Sequence, residues 1–149
     1  MDFKNIHVIP HMDHRDRNYL IDTMGVVFNT EAHFDDPASL GMVFYIRDYI
    51  DSLIKCVATS AHAYAFRDGL ENMKDRGQVI VVLKMWRFSK TFTKLIYTDY
   101  FGHPDLWLET KGRLSDFRFN PRLPEVEEFR QSLLRNDPYV QRYGVVGLL

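Results

Sequence analysis

The 149-residue chain has only one cysteine, Cys56. An internal disulfide framework is therefore excluded, and a reducing, cytoplasmic location is expected. No apolar run approaches the roughly 18 residues that span a bilayer, so no membrane partner is expected. The opening MDFKNIHVIPHMDHRD has no basic segment followed by an apolar one, and no secretory leader is read there. A G-x-G-x-x-G run, a Walker A loop and a G-x-S-x-G elbow are all missing, which removes the local signals for nucleotide binding and for an α/β-hydrolase. No cofactor is expected. No repeat, low-complexity tract or linker interrupts the chain, so residues 1–149 are read as one domain.

Charge of one sign is also lacking. The formal net charge is −1, so there is no global basic field of the kind that drives non-specific nucleic-acid binding. Its distribution is uneven. Residues 1–77 hold 8 Lys/Arg against 12 Asp/Glu, a balance of −4, whereas residues 78–119 hold 7 against 4, a balance of +3. What the chain has in quantity is aromatic and thioether surface: 11 Phe, 8 Tyr, 2 Trp and 6 Met. Enrichment of that kind is typical of interface cores.

The pattern predicts an α+β domain organised on residues 78–119. There QVIVVLKMWRF, FTKLIYTDYF and LWLETKGRLSDFRF read as three β-rich runs separated by Ser89-Lys90-Thr91 and Gly102-His103-Pro104-Asp105, an antiparallel meander. Period two places Ile80, Val82, Lys84, Trp86 and Phe88 on one face of the first run, with Val79, Val81, Leu83, Met85 and Arg87 on the other. A helix is expected over 37–57. It would start at Asp36-Pro37 and carry Val43, Ile46, Ile50, Leu53, Ile54 and Val57 at helical spacing. A second helix is expected over 60–76, either separate from the first or continuous with it, capped by Thr59 or Ser60 and closed by Gly77, and a last one over 124–135, opened by Pro124 with Glu125, Glu127 and Glu128 in its first turn. Lys4 to Ile9 reads as a short strand closed by Pro10. Tyr19 to Phe28 is apolar and ambiguous.

Three clusters carry chemistry. His11-Met12-Asp13-His14 gathers two imidazoles and a carboxylate, donors suited to zinc. This H-x-D-H string resembles the second half of the H-x-H-x-D-H signature of the metallo-β-lactamase superfamily. Ile9 stands at the position of that signature's first His, and the chain is short for that two-layered fold, so no activity is carried over. His33, Asp35 and Asp36 sit together, but Asp36 is accounted for as a helix cap. His62 reads as a partly buried, hydrogen-bonded imidazole, and Cys56, within IKCVA, as a small core residue.

The basic hairpin interleaves cations with stacking surface through Lys84, Trp86, Arg87, Lys90, Lys94, Lys111, Arg113 and Arg118, the combination used to hold single strands. The end of the chain, with Tyr143, Val145, Val146, Leu148 and Leu149, is unusually apolar and reads as a contact surface for the chain itself or for a neighbouring copy. Three functions follow in order. First is a non-enzymatic protein acting through protein contacts, as an assembly component or as an inhibitor or regulator of a larger complex. Second is an RNA- or single-strand-binding module using the basic hairpin. Third is a small metal-dependent hydrolase or nuclease using His11, Asp13 and His14.

Overall fold

Seven-residue stretches rich in β-branched and aromatic side chains, GMVFYIR and LIKCVAT, favour pleated strands over helix, and that preference prevails between residues 41 and 59. The computed structural model describes residues 3–11, 20–33, 41–50, 52–73, 78–90 and 106–136. In these the chain forms β1 (Leu20–His33), β2 (Gly41–Arg47), β3 (Leu53–Thr59), α1 (Ser60–Glu71), β4 (Ile80–Lys90), β5 (Leu106–Glu109), β6 (Asp116–Phe119) and α2 (Pro124–Asn136). The α+β class is as expected, but the helix expected over 37–57 is instead the β2–β3 hairpin. The helical spacing of its apolar residues was an accident of two strands with apolar residues on both faces. Asp48 turns the chain between them, its carboxylate accepting from the amides of Ile50 at 3.0 Å and Ser52 at 2.9 Å.

The sheet is mixed. Its order is β1-β2-β3-β5-β4-β6, and a further pairing of β1 with β4 closes the first five strands into a barrel. All neighbours are antiparallel except β3 and β5, which run parallel. The expected meander is therefore replaced. β5 and β6 occupy successive halves of one edge of β4, separated by a 3-10 turn at Gly112–Leu114, and the run at 92–101 lies outside the described residues. The expected strand at Lys4–Ile9 is a turn followed by a 3-10 turn at Ile9–His11. A bridge from Phe3 to Asp22, the Lys4 amide donating to the Asp22 carbonyl at 2.8 Å and the Thr23 hydroxyl donating to the Lys4 carbonyl at 2.6 Å tie this segment to β1.

β1 is long because it serves both sides of the barrel. Leu20 to Val26 pair with β4, and Val26 to His33 pair with β2, so the strand bends at Gly25-Val26. β4 carries a bulge. Between Ile21 and Thr23 its register slips by one residue, and Met85 adopts a left-handed φ of 60°. Asp22 accepts the Met85 amide at 2.8 Å, and the Ser115 hydroxyl donates to the Met85 carbonyl at 2.7 Å, which satisfies the backbone groups of the bulged residue. Because a one-residue slip exchanges the two faces, Val81 and Leu83 point inward before the bulge and Trp86 and Phe88 after it. The face assignment drawn from uninterrupted alternation fails at this point.

The barrel core joins Phe44, Ile46, Cys56, Leu83, Trp86 and Leu108 to Phe66 of α1, whose ring stacks on Phe44 at 4.0 Å between centroids. α1 begins where expected, after Thr59, and ends at Glu71, with residues 74–77 outside the described set. α2 matches its expected span. It lays Val126 and Leu133 on Met24, Val26, Ile80 and Val82, covering the outer face of β1 and β4 and forming a second core. α2 thereby covers part of the outer face of β1 and β4, leaving Phe28 of β1 and Arg87 and Ser89 of β4 beyond it. The outer faces of β2, β3 and β5 are not covered by either helix core. No helix among the described residues is long and apolar enough to cross a membrane.

Candidate nucleic-acid interface

Strand alternation fixes which side chains face outward on that open surface. Phe44 and Ile46 enter the core from β2, as do Ile54, Cys56 and Ala58 from β3 and Leu108 from β5. Their neighbours Val43 and Tyr45, Lys55 and Val57, and Trp107 and Glu109 therefore face out, each partly exposed. The register lines these up across the strands. One row runs Phe28, Tyr45, Lys55, Trp107, Ser89; the next runs Glu31, Val43, Val57, Glu109, Arg87. Phe28 and Tyr45 make a ring pair with centroids 5.8 Å apart and planes tilted by 39°. Lys55 sits between that pair and Trp107. Adjacent strands are about 4.8 Å apart, so Tyr45 and Trp107 are separated by about 10 Å across the sheet.

A polar network borders the second aromatic. Arg87 pairs with Glu109, its Nε donating at 3.0 Å and its Nη2 also donating to the same carboxylate oxygen, and the Ser89 hydroxyl donates there as well. Burial alone raises the Glu109 carboxyl, but the bonds from Ser89 and Arg87 and the Arg87 charge outweigh it and hold the group below its ordinary value. The carboxylate is thus neutralised in place, and the face keeps Lys55, which has no ion pair among the described residues.

The residues singled out from sequence are dispersed by the fold. Trp86 is fully buried and its indole N–H donates to the Asp116 carbonyl at 2.9 Å, so it offers no ring to a base; the stacking role expected of it is corrected. Arg87 reaches the open face, engaged with Glu109. Lys84 and Arg118 instead line a groove of about 340 Å³ on β4 and β6, together with Arg122, over a floor of Val82 and Leu123. Arg118 is 3.5 Å from Asp116, an exposed pair of little energetic weight. Lys111 flanks and Arg113 lies within the 3-10 turn between β5 and β6. Lys94, Asp13, His14, Tyr143, Val145, Val146, Leu148 and Leu149 lie outside the described residues, as do the side chains of Lys90, His11 and His33. His62 meets its expectation, its Nε2 lying 2.9 Å from the Ser115 carbonyl.

Phe28, Tyr45, Lys55 and Trp107 were not singled out from sequence. Trp107 alternates with Glu109, Lys111 and Arg113 in LWLETKGR, a polar face at period two, so that signal was present. Tyr45 and Lys55 were hidden by the helical reading of 37–57.

No protein-family model matches the sequence, and no curated protein matches it. Among solved structures, the chain is similar to one in a Replication Protein A heterotrimer bound to ssDNA, with a TM-score of 0.59 at 13% identity over 97% of this chain. It is also similar to fission yeast Pot1 with ssDNA, TM-score 0.54 at 14% identity over 79% of this chain. Schizosaccharomyces pombe Pot1pC bound to ssDNA gives a TM-score of 0.55 at 13% identity over 89% of this chain. The barrel is an OB-fold. Its five-stranded, partly parallel closure and the helix between β3 and β4 agree with that architecture. The chain spans 29% of the first of these chains, 41% of the second and 96% of the third. OB-folds that bind oligonucleotides or oligosaccharides use the face of strands 2 and 3 with the connectors between strands 1 and 2 and strands 4 and 5. Here that face is the row just described. The connectors are residues 34–40 and 91–105, the second of which contains Phe92, Lys94, Tyr97, Tyr100 and Phe101.

Proposed function

We propose that this chain binds single-stranded nucleic acid on the outer face of β2, β3 and β5. The observation that carries the reading is the cross-strand row Phe28–Tyr45–Lys55–Trp107. One base stacks on Tyr45, backed by Phe28, and another on Trp107, while the Lys55 ammonium takes the phosphate between them. Every base has a π-face, so a platform of this kind holds single strands with little regard to sequence.

Similarity to three structures that contain ssDNA supports this reading over the protein-contact one drawn from composition. The contact surface imagined at Tyr143 to Leu149 lies outside the described residues. A hydrolase reading has no support in these similarities, and Asp13 and His14 of its cluster lie outside the described residues.

Fluorescence anisotropy with a labelled oligo(dT) at low salt tests the proposal. The parent chain is expected to bind, and Tyr45→Ala and Trp107→Ala each to weaken binding by about 1–3 kcal/mol, the worth of one stacked base. Circular dichroism verifies that both variants keep the barrel. A parent that does not bind at low salt, or variants that bind as the parent does, would remove the platform from the site.

A further inference from the structure

Glu109 stands on the outer face of β5 two residues beyond Trp107, about 6.7 Å along the strand from it. Its neighbours across the sheet are Val57 on β3 and Arg87 on β4. Three donors reach its carboxylate: the Nε and Nη2 of Arg87 and the Ser89 hydroxyl. All three land on Oε1. Oε2 receives none of them, and the side chain keeps 20% of its surface exposed. Among the described residues the one side-chain oxygen buried without a partner belongs to Gln78, so Oε2 opens to solvent. The carboxylate is thus anchored at one oxygen and free at the other. Oε1 fixes where the group sits, and Oε2 offers its lone pairs beside the stacking station without having to be ordered when a ligand arrives. Val57 brings no polar side-chain group to that side of the station.

We infer that Glu109 is a specificity-determining residue of the proposed site, its Oε2 accepting a hydrogen bond from the exocyclic amino group of a base stacked on Trp107. The inference rests on the proposed stacking site and gives that site a preference among single strands. Stacking accepts every base, so discrimination has to come from a base edge. Cytosine carries an amino donor at C4, the group a glutamate accepts from. Uracil and thymine carry a carbonyl oxygen at C4, and their one ring N–H lies between two such oxygens. A fixed, ionised acceptor therefore favours cytosine over either.

Anisotropy titrations of labelled oligo(dC) and oligo(dU), equal in length and at one low salt concentration, test this with the parent, Glu109→Gln, Trp107→Ala and Tyr45→Ala. The parent is expected to bind oligo(dC) about tenfold more tightly, the worth of one hydrogen bond to a charged group. In Glu109→Gln the donors of Arg87 and Ser89 hold the amide oxygen where Oε1 was. The amide nitrogen then takes the place of Oε2 and turns an acceptor into a donor, so the preference should vanish or reverse. Trp107→Ala removes the station and should abolish the preference as well. Tyr45→Ala should weaken both oligonucleotides alike and leave their ratio as in the parent.

A parent that binds both oligonucleotides equally overturns the inference and leaves the platform standing, as does a preference for oligo(dC) that survives in Glu109→Gln. A parent that binds neither overturns the stacking site, and the reader with it. Circular dichroism verifies that the variants keep the barrel. If Glu109→Gln does not, the ratio in Trp107→Ala decides: a preference lost there upholds the reader, and one retained overturns it.

Discussion

Gly25 is the position where the barrel's closure meets a steric limit, and Gly25→Ala puts a number on it. β1 changes partners there, with Gly25 paired to Val81 of β4 and Val26 paired both to Ile80 and to Arg47. A methyl group on Gly25 would lie 2.8 Å from the Ile46 Cβ, 3.0 Å from the Arg47 carbonyl oxygen and 3.0 Å from the Ile6 Cδ1. The first two atoms are parts of β2 that cannot swing away. Overpacking of this kind costs about 1–3 kcal/mol. Gly25 is not in the left-handed region, so alanine also removes unfolded-state freedom, an offset of about 0.4–1 kcal/mol. The net expectation is a loss of about 1–2 kcal/mol, or about 2–8 °C in Tm for a chain of this size. Urea unfolding followed by far-ultraviolet circular dichroism should show a lower midpoint at unchanged slope. Adding Ile6→Ala removes only the third contact, so it should not rescue the variant. If Gly25→Ala is as stable as the parent or more so, room at this bend does not limit how β1 closes the barrel.

Two further predictions concern β4 and its partner. At Met85, with its φ of 60°, glycine should be tolerated better than valine, the reverse of their strand preferences, because a β-branched side chain is strained in that region. Met85→Val should unfold at least 1 kcal/mol more easily than Met85→Gly, roughly the strain of a non-glycine residue there, and equal stabilities would argue against a left-handed bulge. The Glu109 carboxyl is held below its ordinary 4.5, so its contribution to stability is present above that value and is lost as pH falls through it toward the lower folded value. Urea midpoints of the parent and Glu109→Gln should therefore converge as pH is lowered below 4.5, and a gap that stays constant with pH would contradict the anchored carboxylate.

Helix punctuation was the part of this fold most legible in the sequence. Pro124 with its acidic first turn acts locally and needs no tertiary partner, whereas Thr59 stands at the N-cap of α1 with no side-chain cap bond, its hydroxyl lying 2.9 Å from that of Thr110. The region between them and the N-terminus was not legible, because Val43, Ile46, Ile50, Leu53 and Ile54 satisfy a helical repeat as well as they satisfy two strands. Only the β-branched and aromatic content of GMVFYIR and LIKCVAT argued for the strands, and it was outweighed by a start signal at Asp36-Pro37. That single misreading hid Tyr45 and Lys55. The functional row has a deeper reason for being invisible: Phe28, Tyr45, Lys55 and Trp107 are distant in sequence and meet only through register, and register includes a parallel pairing of β3 with β5 that no local pattern announces.

The bulge at Met85 connects these failures to the site. Had the alternation of Val81 and Leu83 continued unbroken, Met85, Arg87 and Ser89 would point into the barrel and Trp86 and Phe88 would face water. A guanidinium would then be buried among Phe44, Ile46 and Leu108 with no carboxylate in reach, at a cost of several kcal/mol. One extra residue, held by Asp22 on its amide and Ser115 on its carbonyl, exchanges the two sets. Trp86 enters the core with its N–H satisfied by Asp116, and Arg87 and Ser89 emerge opposite β5, where Glu109 receives both. The same slip that breaks the period-two pattern therefore places every donor that β4 gives to Glu109. Of the basic run, Arg87 is thereby engaged with the carboxylate of the neighbouring strand, and the cation that the open face keeps is Lys55.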